Sequence, residues 1–270
     1  MIGLGTYAFF WQHSMRAPQP LGLTEMLERT GTLGVGLFQI CDYAPLESMT
    51  AAELARVAAV AHDLGIELEL GTRGISAAHL DRYLGLAETL GARLVRTMFY
   101  TATDRPTLAE AEAALRSVVG SYDTAGVTIA LETYEQVATR DLVSVVEAIG
   151  HSRVGICLDP ANSVAALELP REVIDLAAPY VANIHVKDFA FTRRDSWVGF
   201  TLAGAPLGSG LLDYEYLLET VRPHERAINQ IVEHWLPFGD NISQTIELEN
   251  AWTAQSLRVM NDRNQGVPEK

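Results

Sequence analysis

The chain has 270 residues, 48% of them hydrophobic, which is enough for one large core. A formal net charge of −14, without any lysine- and arginine-rich block, disfavours nucleic acids and anionic membranes as partners, and no apolar run approaches the ~20 residues of a membrane helix. The apolar N-terminus, Met1 to Trp11, lacks the basic region of a signal peptide, and two cysteines without a CxxC motif indicate a reducing, cytoplasmic location.

Short apolar runs rich in β-branched residues alternate with segments of helical periodicity along the whole chain. The predicted strands are Ile2–Tyr7, Val35–Ile40, Ile66–Leu70, Leu94–Phe99, Val127–Glu132, Val154–Leu158, Val181–Val186 and Ile228–Glu233. Alternation of this kind predicts a parallel sheet with right-handed crossovers. Eight such units favour a single (β/α)₈ TIM barrel over a doubly wound open sheet.

The predicted helices have well-marked ends. Thr50 and Thr107 each precede a glutamate by three residues, which is the spacing of a capping box, and Ser76 and Thr139 are further predicted N-caps. Glycines stand where helix C-termini need a left-handed residue, namely Gly65, Gly91, Gly126 and Gly150. The last helix is predicted from about Ile242 to Met260. This gives one catalytic domain over residues 1–262 and a polar tail over 263–270.

The connection after the seventh strand, from Lys187 to Leu212, is much longer than a usual loop. Its aromatic and basic residues are Phe189, Phe191, Arg193, Arg194, Trp197 and Phe200. Because the active sites of barrels are built from loops of this kind, we interpret it as a lid over the site. A contact between subunits is the alternative interpretation.

Strands five to eight each end in a side chain that can bind a metal: Glu132, Asp159, His185 and Glu233. The C-terminal ends of barrel strands face the active site, so we expect these four residues to meet on one rim. Three buried carboxylates repel one another unless a cation lies between them. The sequence therefore predicts a site for one divalent ion, Mn²⁺ in the first place, with Mg²⁺, Co²⁺ and Zn²⁺ as alternatives. A set of unrelated hydrogen-bonded residues at strand ends is the competing interpretation.

These residues lie in motifs that resemble the sugar phosphate isomerase/epimerase superfamily, the xylose isomerase-like TIM barrels. The similar stretches cover nearly the whole chain: Ala130-Leu131-Glu132, Leu158-Asp159, His185-Val186-Lys187-Asp188, Gly208 to Asp213 and Ile231-Val232-Glu233. The resemblance implies that the four residues bind one metal and that Glu132 and Glu233 move protons between adjacent sugar carbons. The implied enzyme is an isomerase or epimerase of sugar catabolism that converts a small keto sugar or oxo sugar acid through a metal-stabilised enediolate.

Two positions depart from this pattern. Many relatives carry a histidine two residues after the first glutamate and another three residues after the aspartate, but this chain has Tyr134 and Asn162 there. Neither side chain is a good base near neutral pH, which weakens the expectation of a standard ketose epimerase.

Two arginines near the predicted rim, Arg73 and Arg96, have the right shape to bind a carboxylate or a phosphate. A structural ion pair with Glu69 or another barrel acid explains them equally well. If both bind the substrate, the substrate is anionic, such as an oxidised sugar acid. The other predicted substrate contacts are Gln39, Asn162, Lys187 and Trp11, and the aromatic loop around Trp11 also favours a homodimer or homotetramer.

One branch of the superfamily, the 3-oxo-isoapionate decarboxylases, is similar in three further stretches, Gly3 to Tyr7, Gln39 to Leu46 and Gly71 to Gly74. This resemblance implies the alternative of a lyase that removes CO₂ from a 3-oxo sugar acid, or that eliminates from a 3-oxo sugar. Decarboxylation needs a proton donor afterwards but no strong base beforehand, so it tolerates the two missing histidines. A remote alternative is an endonuclease IV-like repair enzyme on the same fold, which the negative charge disfavours.

Overall fold

The computed structural model describes residues 1–194 and 197–265. Eight parallel strands form a closed barrel in the order β1, β2, β3, β4, β5, β6, β7, β10, with β10 closing against β1. They are β1 (Ile2–Gly5), β2 (Leu37–Cys41), β3 (Glu67–Arg73), β4 (Leu94–Met98), β5 (Thr128–Glu132), β6 (Val154–Leu158), β7 (Val181–Val186) and β10 (Asn229–Val232). The predicted (β/α)₈ TIM barrel and all eight of its strands are therefore confirmed.

Helices surround the barrel and connect its strands. They are α1 (Phe10–His13), α2 (Leu23–Thr32), α3 (Ala51–Asp63), α4 (Ala77–Leu90), α5 (Leu108–Ala125), α6 (Thr139–Ile149), α7 (Pro160–Ser163), α8 (Pro170–Ala177), α9 (Tyr214–Val221) and α10 (Ile242–Gln265). One continuous apolar cluster joins the buried faces of these helices to the strands. Among the helices of the described ranges, none has both the length and the apolar character needed to cross a membrane.

Most of the predicted helix ends are found in the structure, and two are corrected. The capping boxes at Thr50 and Thr107 are formed, and the four predicted glycines have positive φ between 60° and 71°. Ser76 occupies its N-cap position without a side-chain hydrogen bond. Thr139 is not an N-cap: Ala138 is, and the Thr139 hydroxyl instead donates to Glu168 at 2.8 Å.

The second correction concerns the C-terminus, where α10 continues to Gln265 instead of ending near Met260. The first residues of the predicted tail are thus helical, and residues 266–270 of that tail lie outside the described residues.

The long connection after β7 contains an antiparallel hairpin formed by β8 (Asp188–Arg193) and β9 (Phe200–Ala205). The carboxylate of Asp188 closes its base by accepting from the backbone nitrogens of Gly208, Gly210 and Leu212, each at 2.9 Å. The hairpin also contacts the loop after β10, because the nitrogen of Gly204 donates to the carbonyl of Trp235 at 3.0 Å. The predicted lid is therefore a structured element, and its role as a lid stays a prediction.

Candidate metal centre

Four strands deliver the four predicted ligands to one point. Glu132 ends β5 and His185 lies near the end of β7, whereas Asp159 and Glu233 follow the last residues of β6 and β10. One ligand atom from each of the four lies within 4.8 Å of the other three, and all four side chains are buried. The carboxyl ends of adjacent parallel strands thus bring together residues that are far apart in the sequence.

The imidazole of His185 lies among the three carboxylates. Its Nδ1 is 3.0 Å from Glu132 Oε1, 3.4 Å from Glu233 Oε2 and 4.0 Å from Asp159 Oδ2. The three carboxylates thus surround the same imidazole nitrogen, at distances that would allow one ion to contact all four side chains.

Asp159 is held in place by the start of α7. Its Oδ1 accepts from the backbone nitrogens of Ala161 and Asn162 at 3.1 and 3.2 Å, as an N-cap does. Its Oδ2 is left to face the cluster, where it pairs with Lys187 Nζ at 2.7 Å. The short helix therefore fixes which oxygen of Asp159 is available to a ligand.

Lys187 supplies positive charge inside the cluster. Its buried ammonium group lies 3.0 Å from Glu233 Oε2 as well as 2.7 Å from Asp159 Oδ2. Burial opposes the charged form, but these carboxylates outweigh burial and raise the pKa of Lys187 above its ordinary value. Likewise, burial alone would raise the pKa of Glu233, but His185 and Lys187 hold it well below its usual range. Lys187 and Glu233 are thus both charged near neutral pH.

Lys187 alone does not satisfy all the ligand groups of the cluster. Burial favours the neutral imidazole of His185, but the surrounding groups Cys157, Glu233 and Glu132 raise its pKa above the ordinary value. Within the described residues, Glu233 Oε1 is buried and has no hydrogen-bond partner. An orphaned carboxylate oxygen beside three other ligand groups fits a divalent metal ion, which Glu132, Asp159, His185 and Glu233 would hold.

A cavity of about 190 Å³ opens above the cluster. Its lining is mainly polar and charged and comprises Tyr7, Asp42, Arg73, Arg96, Met98, Glu132, Glu135, Gln136, Asn162, Lys187, Glu233 and Trp235. A cavity of this size and polarity suits a small hydroxylated molecule better than an apolar one.

The predicted arginines lie at different depths in this cavity. Arg96 is buried, with its Nη1 donating to the carbonyl of Thr72 at 2.8 Å and its Nε 3.3 Å from Glu132 Oε2. The side chain of Arg73 is 53% exposed at the mouth, where its Nη2 binds Asp42 Oδ2 at 2.9 Å. Arg96 also contacts Asp42, at 3.4 Å. Both arginines therefore pair with acids of the site, and neither pairs with Glu69.

Asp42 joins the two arginines from an unusual backbone position, with φ of 49°. Burial alone would raise the pKa of Asp42, but Arg96 and Arg73 outweigh it and lower the pKa to about 2. A carboxylate that is ionised at all physiological pH values keeps both guanidinium groups oriented over the cavity.

Comparison with known proteins identifies the family. A family model described as the xylose isomerase-like TIM barrel matches residues 27–262. The chain belongs to this family. It is 56% identical over 263 residues, 97% of this chain and 96% of the relative, to 3-oxo-isoapionate decarboxylase of Pectobacterium atrosepticum. The predicted resemblance to the superfamily, including its decarboxylase branch, is confirmed.

Solved structures of similar fold include sugar epimerases. D-psicose 3-epimerase of Clostridium cellulolyticum, determined with D-tagatose, superimposes with a TM-score of 0.71 at 15% identity and 98% coverage of both chains. A xylose isomerase-like TIM barrel protein of Mycobacterium smegmatis in complex with magnesium gives a TM-score of 0.70 at 18% identity, covering 94% of this chain and 96% of that one. At these identities the likeness shows the fold alone. Together with the 56% identical relative, the family establishes an enzyme of the sugar isomerase and epimerase kind or a related decarboxylase.

The xylose isomerase-like barrel places two of the predicted substrate contacts outside the cavity lining. Gln39 is buried below the cluster, where its Oε1 lies 2.8 Å from His185 Nε2. Trp11 lines a neighbouring cavity, and its indole nitrogen donates to the carbonyl of Leu236 at 2.8 Å. Asn162 and Lys187 do line the central cavity, and Asn162 Nδ2 donates to Glu132 Oε1 at 3.2 Å.

Sequence reasoning missed Trp235, which forms part of the cavity wall. Its ring lies 4.7 Å from the ammonium group of Lys187, in the range of a cation–π contact. The available signal was its position two residues after Glu233, in the loop that follows the last barrel strand.

Proposed function

We propose that this chain is a divalent-metal-dependent decarboxylase of a small 3-oxo sugar acid. The observation that carries the proposal is the 56% identity with the 3-oxo-isoapionate decarboxylase of Pectobacterium atrosepticum over 97% of this chain. The geometry and charge of the site support the same reaction independently of that likeness.

The charge balance of the site favours an anionic substrate. Glu132, Asp159 and Glu233 are opposed by Lys187 and Arg96, which leaves one formal negative charge while His185 is neutral. A bound divalent ion turns this into one positive charge, and a substrate carboxylate then brings the site to neutrality. Asp42 and Arg73 add one charge of each sign and do not alter this balance of the buried groups, and Glu135, the other charged residue of the cavity lining, is exposed.

A 3-oxo acid carries its carboxylate on the carbon next to a ketone. When the bond to the carboxylate breaks, CO₂ leaves and the electron pair moves onto the ketone oxygen; a proton then adds to the vacated carbon. A divalent ion bound at the four ligands supplies Lewis-acid stabilisation of that oxygen. We expect Mn²⁺, with Mg²⁺, Co²⁺ or Zn²⁺ as substitutes, because carboxylate and imidazole ligands accept all of them.

The residues of the cavity take separate roles in this proposal. Arg73, at the mouth, binds the carboxylate of the incoming acid, and Asp42 orients its guanidinium. Asn162 and Lys187 bind substrate oxygens deeper in the cavity. Glu132 and Glu233 would hold or return the proton at the reacting carbon. We further propose a cytoplasmic homodimer or homotetramer.

An isomerase or epimerase is the second candidate, because Glu132 and Glu233 approach the same imidazole from two strands and can act on opposite sides of a bound sugar. The two candidates differ in one product property. An isomerase keeps the elemental composition of its substrate, whereas a decarboxylase releases CO₂.

The deciding experiment incubates the Mn²⁺-loaded enzyme in D₂O with 3-oxo-isoapionate and, separately, with a panel of ketoses, and follows product masses. We expect CO₂ release with one deuterium on the vacated carbon. Deuterium on carbon in a product of unchanged composition would establish the isomerase instead, and no turnover of any 3-oxo acid would refute the decarboxylase.

A matched pair of variants tests the carboxylate contact. Arg73→Ala should raise KM for the 3-oxo acid about tenfold or more, as expected for loss of a charge-assisted hydrogen bond. Arg171→Ala removes an arginine of similar exposure that also pairs with an aspartate, Asp213, but lies outside the cavity lining. It should leave KM unchanged.

A further inference from the structure

A series of buried polar side chains crosses the inside of the barrel beneath the metal centre. It runs from Asn229 through Glu69 to Gln39 and Asn183, and ends at His185. Gln39, Glu69 and Asn183 are at most 4% exposed. Barrel interiors are usually filled by branched apolar residues, so a connected set of polar side chains in this place points to a functional role.

We propose that Glu69 and Gln39 form a hydrogen-bonded relay that fixes the tautomer of His185, so that its Nδ1 is unprotonated and ready to bind the metal. The inference rests on the proposed metal site and adds positioning residues to it. Neither Glu69 nor Gln39 lines the substrate cavity.

The donor and acceptor roles along the relay follow from the hydrogen bonds of Asn229, at the end farthest from His185. The nitrogen of Met1 donates to Asn229 Oδ1 at 2.9 Å, so the Asn229 amide must present its NH₂ group to Glu69. That group donates to Glu69 Oε1 at 2.7 Å, and Asn183 Nδ2 donates to Glu69 Oε2 at 3.0 Å. The Glu69 carboxyl group is thereby the acceptor at this point of the network.

The orientation of the Gln39 amide follows from its neighbours. Its Nε2 lies 3.2 Å from Glu69 Oε2 and 3.2 Å from Asn183 Oδ1, which are both acceptors. Its NH₂ group is satisfied only in this orientation, and the opposite end, Oε1, then points to His185 Nε2 at 2.8 Å. An amide oxygen can only accept, so His185 Nε2 carries the hydrogen.

The hydrogen on Nε2 determines the state of the other ring nitrogen of His185, Nδ1. With its hydrogen on Nε2, the neutral imidazole presents a lone pair on Nδ1, which is the nitrogen that faces Glu132 and Glu233 at 3.0 and 3.4 Å. The alternative tautomer would direct an N–H at the metal and could not bind it. Partners of this kind on the far nitrogen of a histidine typically contribute 10- to 100-fold to metal affinity.

Two variants break the relay at different points. Gln39→Leu removes the acceptor for His185 Nε2, and Glu69→Gln keeps the size of the side chain but removes the feature that orients Gln39. We expect both to weaken the binding of Mn²⁺, measured by calorimetric titration of the metal-free chain, by about 10- to 100-fold. In the Mg²⁺-loaded wild-type protein, ¹⁵N NMR of His185 should show the single Nε2–H tautomer.

The control is Gln230→Leu. Gln230 is a buried barrel residue whose Oε1 accepts from the Tyr214 hydroxyl at 2.7 Å, away from His185, so the variant loses a comparable hydrogen bond. It should bind Mn²⁺ like wild type. Normal Mn²⁺ affinity in Gln39→Leu and Glu69→Gln, or an Nδ1–H tautomer in wild type, overturns the relay alone. A wild-type chain that binds no divalent metal overturns the proposed metal site and the relay together.

Discussion

The metal site is tested most directly by Glu233→Gln, which keeps the size of the side chain but removes one of the three carboxylate charges. Glu233 Oε2 lies 3.4 Å from His185 Nδ1, and Glu233 Oε1 has no hydrogen-bond partner among the described residues, so this carboxylate has an unsatisfied oxygen within the cluster. We expect wild type to be stabilised by added Mn²⁺ and the variant to lose that stabilisation.

The size of the effect follows from linkage. A ligand at 100 times its dissociation constant stabilises the folded state by about 2.7 kcal/mol, which for a chain of this size raises Tm by about 5–10 °C. Groups that only support a ligand contribute up to about 100-fold to affinity, so loss of a ligand itself should cost at least that much. At the same Mn²⁺ concentration the variant would then gain only about 0.4 kcal/mol, or about 1 °C.

The assay is thermal unfolding of chelator-treated protein, with and without Mn²⁺, for wild type, Glu233→Gln and the control Glu168→Gln. Glu168 is a half-buried acid that binds the start of α6 and lies outside the cluster. The control should keep the wild-type rise in Tm. A full rise in Tm in Glu233→Gln would refute the assignment of Glu233 as a ligand.

Three further predictions concern stability and metal dependence. Arg96→Leu should lower the free energy of unfolding by about 3 kcal/mol, because it removes the buried cation that pairs with both Glu132 and Asp42. Arg73→Leu, at an exposed site, should lower it by less than about 1 kcal/mol, and equal losses in urea unfolding would contradict this difference. Burial raises the pKa of Glu249 from 4.5 to about 7, despite three N–H donors from Trp11 and Gln12 in α1. The contribution of Glu249 to stability therefore falls as pH rises from 4.5 through 7. Relative to Glu249→Gln, wild type should lose about 3 kcal/mol over that window, and parallel stability curves would contradict it. Chelation should abolish turnover and added Mn²⁺ should restore it; activity that survives exhaustive chelation would contradict a metal-dependent reaction.

The barrel and the convergence of the four candidate ligands could be predicted because both depend on local periodicity. Each strand is a short apolar run, and Glu132, Asp159, His185 and Glu233 stand at or just beyond the ends of four consecutive strands. Parallel strands of a closed barrel bring such ends to one rim whatever the sequences between them. No alignment of distant segments is needed for this inference.

The depth of a side chain inside the barrel was harder to predict. The second strand was expected to end at Ile40 but continues to Cys41, and each residue advances the strand by about 3.3 Å. Gln39 therefore lies below the rim, next to His185, while Asp42 is the residue that reaches the cavity. A shift of a few residues along a strand therefore decides whether a side chain reaches the cavity or lies beneath the cluster.

Contacts between residues far apart in the sequence could not be predicted from local sequence patterns. Thr139 looks like an N-cap, but the carboxylate of Glu168, which lies beyond β6, accepts from its nitrogen and hydroxyl and takes over the capping role. Trp11 similarly follows the first strand, yet its nitrogen and ring are held by Glu249 and Leu236 near the other end of the chain. Side chains contributed from far along the sequence decide such positions.

The two positions where the family often has histidine bear on the choice between reactions. Tyr134 is buried outside the cavity lining, and its hydroxyl accepts from the backbone nitrogen of Tyr100 at 2.9 Å. Asn162 connects Glu132 to Lys187, with hydrogen bonds of 3.2 and 3.3 Å. Neither group can remove a proton from carbon near neutral pH, so deprotonation would depend on Glu132 and Glu233, which are also the proposed metal ligands. Decarboxylation generates the same electron pair by losing CO₂ and requires only that a proton be returned, which agrees with the proposed decarboxylase.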